Sequence, residues 1–381
     1  MSSETKEIRV LQVIEASLGG TRRYIENVFG ALGEGPNNGI AYSLHRADAA
    51  FLSLLGELRT ARWQLFEIDM RREIHPFNDA KSVLDLRKVY RDFRPTVVHA
   101  HSSKAGAVAR LATFGLKNRP GIVYTPNSIS ANIGLPFRVI EHLLAVRLDV
   151  LAAVTPSERD ELRALRLVPR NRIHVVNPTI DPVAYAPADR EAAREKLGLS
   201  KNPLVIGIGR LASQKDPLAF VDFVAELRKR VPNASAIWVG GGELQPMMEA
   251  RIDALDLRSC LKITGWLDDV RPYLAACDLL VSTASYESFG YVAAEAFAMD
   301  RPVVASAITG TVDVVVTDTE QQLYKHGDVA TAAQLAARFL LDEDAAKSAA
   351  DRGRSYVLRA FSVPEMRRSL EAAYAAATQR I

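Results

Sequence analysis

The sequence predicts an α/β protein built from two doubly wound domains, and three observations carry that reading. Short apolar runs, too brief for helices, alternate with stretches of helical spacing along most of the chain, the pattern of a parallel sheet covered on both faces. At 381 residues the chain exceeds what one core usually supports. Asn177, Pro178, Asp181, Pro182 and Pro187 fall close together near the middle, a composition that stops regular structure and marks a linker. The expected domains are therefore 1–178 and 183–362.

Taken in order, Ile8 to Ile14 reads as a strand, followed by a small-residue loop containing Gly19 and Gly20 and then the helical spacing of Tyr24, Val28 and Leu32. Glycines there let a ligand approach the backbone, although a glycine pair alone is often no more than a turn. Gln64 to Glu67 is a second strand, a helix is expected from about Asn78 to Arg91, and Thr96 to Ala100 forms a central strand. His101 follows at the carboxyl edge, where such sheets bind ligands, while His99 points into the sheet. Gly121–Thr125 repeats the strand pattern, Ser157 is placed to cap the helix after Val150–Val154, and Ile173–Val176 is the last strand before the linker.

The second half opens with the strand Leu204–Ile208, then Gly209-Arg210-Leu211 and Lys215-Asp216-Pro217. Gly207 to Ala212 also fits the dinucleotide fingerprint, but Asp216-Pro217 starts the helix four residues too late and the next strand ends in Gly240-Gly241-Gly242 instead of an acid. Arg210 and Lys215 lie on one loop, so both can reach the same anion and do the work of a divalent metal. Cys277 to Ala296 reads strand, tight loop, helix. Its helix start attracts anions, and Glu287 on the loop and Glu295 in the helix can face one ligand at different depths. A buried helix with two surface glutamates is the alternative for that stretch alone.

Composition agrees with a soluble globular protein: 48% apolar, 24% charged, net charge +3. The opening residues lack the apolar core of a signal peptide, and the longest membrane candidate, Leu143 to Val154, is broken by Arg147 and Asp149. Cys260 and Cys277 imply buried, reduced thiols and a cytoplasmic setting. The sole Asp-x-Asp, Asp342-Glu343-Asp344, reads as a solvated connection, so no metal site is expected. Residues 1–175 carry 25 Lys and Arg against 18 Asp and Glu, leaving the remainder acidic. Arg59, Arg62, Trp63, Arg71 and Arg72 combine cations with an amphipathic aromatic, which suits an anionic membrane surface; pairing with Glu57, Glu67, Asp69 and Glu73 would cancel that face.

Glu287-Ser288-Phe289-Gly290 followed by Glu295-Ala296, the Gly209–Asp216 loop, the glycines at 240–242 and His99–Gly106 together resemble the family-4 retaining glycosyltransferases of the GT-B fold. The resemblance spans nearly the whole chain. It implies two Rossmann-like domains facing across a cleft, with the final helix 363–381 returning to the first. It further implies that Gly19 and Gly20 face the donor diphosphate, that Arg210 and Lys215 neutralise it, and that His101 and Glu287 stand beside the donor sugar. Glu295 would hold the ribose hydroxyls, and Gly241, Thr264, Phe289, Gly290 and Tyr291 would bind the donor. Asn127 replaces a usual His, Pro178 a usual Gly, and the segment around Asp318–Leu323 lacks a usual Gly-containing turn.

The function so implied is transfer of a sugar from a nucleotide-sugar, a UDP-sugar first, to an acceptor hydroxyl with retention and without a metal or other cofactor. Members with the His-Ser-Ser-Lys-Ala-Gly segment point to a lipid-linked glycan acceptor in surface polysaccharide assembly, hence a cytoplasmic protein docked on the inner face of the cell membrane, with no nucleic-acid partner. A nucleotide-sugar epimerase of the same fold and a nucleotide-sugar-binding protein without turnover are the rivals.

Overall fold

The structure, a computed structural model, describes residues 8–17, 19–127, 134–316 and 321–379, apart from the side chain of Pro136. Leu18 and the Asp318–Glu320 part of the departing turn lie outside the described residues. The chain divides into two compact units, 1–179 with 363–381, and 180–362.

The first unit holds strands β1 (Val10–Ile14), β2 (Asn38–Tyr42), β3 (Gln64–Glu67), β4 (Val97–His101), β5 (Gly121–Thr125), β6 (Val150–Ala153) and β7 (Ile173–Val175). They form one parallel sheet in the order β3-β2-β1-β4-β5-β6-β7. The chain builds outward from β1 in one direction, then restarts at β4 on its other side, so the loops after β1 and β4 diverge at a switch point. All five residues of β1 and of β4 are buried, as strands covered on both faces require.

Several helices between these strands begin at a side-chain cap. Thr155, not Ser157, caps the helix Pro156–Leu165: its hydroxyl accepts from Glu158 N at 3.2 Å, and Pro156 takes the first helical position, where a missing N–H costs nothing. The last helix, Val363–Thr378, lies in this unit and turns Met366, Leu370, Ala373, Tyr374 and Ala377 inward. That stripe packs on the helix Gly19–Leu32 and on β4 to β7.

Trp63 corrects the surface reading of the sequence. It is only 5% exposed, packs edge-on against Phe29 and donates its indole N–H to Gly33 O at 2.9 Å. Arg59, Arg62, Arg71 and Arg72 are exposed, but Arg71 stands 3.5 Å from Asp69, and the aromatic that turns outward near Arg71 and Arg72 is Phe77, 84% exposed, not Trp63.

The second unit holds β8 (Leu204–Ile208), β9 (Ser235–Val239), β10 (Leu261–Ile263), β11 (Leu279–Ser282), β12 (Val303–Ser306) and β13 (Leu323–Tyr324), parallel in the order β10-β9-β8-β11-β12-β13. Here the switch point separates β8 from β11. Its core gathers Phe220, Phe223, Trp238, Met248 and Phe339. Cys260 and Cys277 are buried free thiols, and burial pushes the Cys277 thiol up to about 12, which keeps it protonated and unreactive. Asp342 caps the helix Glu343–Ala360, accepting from Ala345 N at 2.9 Å, so the acidic triplet serves a helix start.

Candidate active site

In the second unit the loops after β8 and β11 leave the sheet side by side, and backbone hydrogen bonds lock them together. The loop after β8 first crosses the glycines that follow β9: Leu211 N donates to Gly241 O at 2.8 Å, and Trp238 Nε1 donates to Gly209 O at 3.0 Å. Gly240 sits at φ +134°, and a Cβ there would lie 2.2 Å from Gly209 O, so any side chain would force the two loops apart. The turn Ser213–Lys215 is then joined to the loop after β11. Ser285 N donates to Gln214 O at 2.9 Å, Gln214 Nε2 to Tyr286 O at 3.0 Å, and Thr283 Oγ1 to Lys215 O at 3.1 Å.

That joining brings the Lys215 ammonium onto the Glu287 carboxylate, with the two side chains 22% and 16% exposed. The pair borders a small cavity of about 20 Å³ that also touches Ile208, Gly290 and Thr311. Gly290, at φ +92°, leads into the helix Tyr291–Ala298, whose first N–H groups point toward the loop. Behind the loop, Gly310 at φ +77° fits where a Cβ would stand 2.6 Å from Phe289 N and 2.8 Å from Glu287 O.

The remaining donor-side expectations divide by how they are placed. Arg210 is exposed on the same loop as Lys215 and makes no ion pair among the described residues. Thr264 accepts from Gly240 N at 3.3 Å and donates to Gly265 O at 2.8 Å, so its side chain serves the glycine turn. Gly241 faces the indole of Trp266, which is 69% exposed and offers a flat apolar surface beside the loop. Glu295 is enclosed within the unit. Phe289 is also enclosed: its ring centroid lies 4.9 Å from Tyr291 and 4.8 Å from Phe361, so the residue presents its backbone, not its ring, to the loop.

In the first unit, Gly19 and Gly20 are exposed at the start of the helix Gly19–Leu32, and a Cβ at either would meet nothing within 4 Å. The loop after β1 also carries Glu15, buried, 3.5 Å from the Arg46 guanidinium and accepting from Ser102 Oγ at 3.4 Å. His101 pairs in register with Ile14 across the β1/β4 switch point. Its ring is wholly buried, which departs from a side chain standing open beside a ligand.

What holds His101 is a chain of polar groups that sequence reading passed over. His99 and His101 are two residues apart on one strand and so share a face, with ring centroids 4.1 Å apart. Gln12, opposite His99 in β1, accepts from His101 Nε2 through Oε1 at 2.7 Å and donates through Nε2 to Tyr374 Oη at 3.2 Å. The Tyr374 hydroxyl donates to His99 Nδ1 at 3.0 Å, and His99 Nε2 donates to Thr125 Oγ1 at 2.8 Å. These directions are mutually consistent and leave His101 neutral, protonated at Nε2, with a bare Nδ1 that has no partner among the described residues. Burial lowers the His101 pKa to about 3 and drives that of His99 well below the ordinary value, aided by the neighbouring His101. A glutamine in the middle of the apolar run Val10–Ile14 was the available sequence signal, because an unpaired amide does not survive in a strand core.

The chain matches two family descriptions, "Glycosyl transferase 4-like domain" over residues 40–179 and "Glycosyl transferases group 1" over residues 189–356. It is 27% identical over 271 residues to the UDP-Gal:alpha-D-GlcNAc-diphosphoundecaprenol alpha-1,3-galactosyltransferase of Escherichia coli, covering 68% of this chain and 70% of that one. It is 33% identical over 267 residues to the D-inositol 3-phosphate glycosyltransferase of Rhodococcus jostii, covering 62% of this chain but only 58% of the relative. It also matches 42% of the alpha-D-kanosaminyltransferase of Streptomyces kanamyceticus. Among solved structures it is similar to Anabaena HepE in complex with UDP, with a TM-score of 0.83 and 20% identity over 97% of this chain and all of that one. WaaG, a glycosyltransferase involved in lipopolysaccharide biosynthesis, superposes at a TM-score of 0.68 with 17% identity over 96% of this chain and 98% of its own. With both sheets, both switch points and both domain matches falling in one order along the sequence, the chain belongs to the family-4 glycosyltransferases of the GT-B fold.

Proposed function

We propose that the protein is a retaining, metal-independent glycosyltransferase that moves a sugar from a UDP-sugar to an acceptor hydroxyl on a lipid-linked glycan at an anionic membrane surface. The observation that carries the reading is the meeting at the β8/β11 switch point of a glycine turn, the Lys215–Glu287 pair and a helix start, on the loop that also carries Arg210. HepE structures hold UDP, UDP with glucose, and UDP-glucose, which favours uridine as the base. The galactosyltransferase relative is named for a diphosphoundecaprenol acceptor, which favours a lipid-linked one.

In this mechanism the bond between the anomeric carbon and the diphosphate oxygen breaks, and UDP departs with the bonding electrons. Lys215, Arg210 and the Tyr291–Ala298 helix start stabilise the charge that grows on its oxygens. The acceptor oxygen bonds to the anomeric carbon from the leaving-group side, and its proton passes to the departing phosphate oxygen. Glu287 is held at one oxygen by Lys215, which draws its charge and suits it to accept hydrogen bonds from sugar hydroxyls instead of attacking carbon.

Product analysis with and without acceptor tests the reading. Incubation with UDP-sugars should release UDP slowly alone and much faster with a polyprenyl-diphosphate-linked sugar, with EDTA having no effect. Conversion of the free donor to its epimer would install the rival enzyme, and tight UDP binding without release would leave a binding protein. A glycosylated Glu287 peptide in mass spectrometry would overturn the hydroxyl-partner role.

A further inference from the structure

The large apolar side chains left exposed in this protein are not spread evenly. Six of them, Leu135, Phe137, Val139, Ile140, Leu143 and Val146, fall on the helix Leu135–Ala145 and the residue that follows it, with exposures from 38% to 74%. Leu135, Val139, Leu143 and Val146 recur at helical spacing and form an outward stripe, the reverse of a surface helix that buries its apolar face. Phe114, on the turn after the neighbouring helix Ser103–Leu111, is exposed as well.

The charges around the stripe all favour one kind of occupant. Between Leu111 and Arg147 the sequence holds a single acid, Glu141, and that carboxylate is buried against the Arg110 guanidinium at 2.8 Å. Lys117 and Arg138 are exposed, and Arg147 lies over the Phe114 ring at 4.7 Å. Arg119 is engaged by Asp149. An apolar stripe rimmed by cations, with its acid turned inward, matches an anionic leaflet, where acyl chains take the side chains and phosphates take the cations. A second copy would set like charges opposite each other around the same face. At 11 residues the helix spans roughly 16 Å, so it lies along a bilayer surface and does not cross it.

We propose that the helix Leu135–Ala145 is the element that docks this protein on anionic phospholipid, resting on the membrane-acceptor reading above and displacing the Arg71–Arg72 surface from that role. Co-sedimentation of the full chain with phosphatidylglycerol–phosphatidylcholine vesicles, against phosphatidylcholine alone, tests it. Wild type should favour the anionic vesicles and release in high salt. Leu135→Glu/Leu143→Glu should lower partitioning at least about tenfold, and the milder Arg138→Gln about fivefold. Arg71→Glu/Arg72→Glu should bind as wild type does. Unchanged circular-dichroism melting shows that the variants are folded, which exposed positions permit. If wild type ignores both vesicle types, the membrane reading itself falls. If it binds but the helix variants bind equally, only the helix assignment is overturned. A concentration-dependent dimer in light scattering, abolished by Leu135→Glu/Leu143→Glu, would give the face to a second copy and also overturn it.

Discussion

Acidification should destabilise the first unit well before its carboxylates titrate, because two of its histidines are buried neutral. The His101 pKa is lowered to about 3 by burial, against an ordinary value of 6.5, and His99 shifts the same way from burial and from its neighbour. In the window between about pH 6.5 and pH 3 the unfolded chain therefore binds protons that the folded unit refuses. The stabilisation is fully present above the unfolded pKa and is lost as pH falls. At about pH 5.5 the loss from His101 alone is RT ln(1 + 10), about 1.4 kcal/mol relative to pH 8. That equals roughly 3–6 °C in the melting of a unit of this size. His99 adds to it, as does half-buried His174, whose pKa burial also lowers. Urea unfolding of the full chain at the two pH values, following a probe in the first unit, measures the difference. His101→Gln removes one titrating group while keeping a side-chain amide near Gln12, and should lose about 1.4 kcal/mol less than wild type on acidification. Equal losses in the two proteins, or a gain in stability at the lower pH, would refute the closed neutral network.

Two further outcomes probe the second unit. Arg210→Ala and Lys215→Ala should each slow sugar transfer by about 2.7–4 kcal/mol of barrier, roughly a hundred- to a thousandfold in turnover. Arg210→Ala should meanwhile melt with the wild type, since the side chain is exposed, and wild-type turnover in both variants would remove them from the chemistry. Gly310→Ala should cost about 2–5 kcal/mol in urea unfolding, from a positive φ and a methyl pressed onto Phe289 N and Glu287 O, and should depress transfer by shifting the Glu287 loop. A variant with normal stability and rate would show that the loop is not backed by that glycine.

The sequence by itself determined the strand and helix order, and the loops after Ile208 and Ser282 as places that carry Lys215 and Glu287. It could do so because those features are local: periodicity, glycine and proline placement, and capping residues act within a few positions along the chain. Glu287 and Lys215 were legible as candidates, but their direct pairing was not. It depends on β8 and β11 becoming neighbours across the switch point and on the backbone bonds joining Gln214 to Ser285 and Tyr286. Trp63 read as an interfacial aromatic because arginines flank it, yet it is buried against Phe29, since side-chain direction is set by packing and not by adjacent charge. Phe289 sat inside a recognisable motif, but only its ring contact with Phe361, far along the sequence, shows that it faces the core. The network around His101 was the least legible of all. Gln12, His99, Thr125 and Tyr374 come from three strands and the last helix, and only tertiary structure decides which buried polar groups satisfy one another.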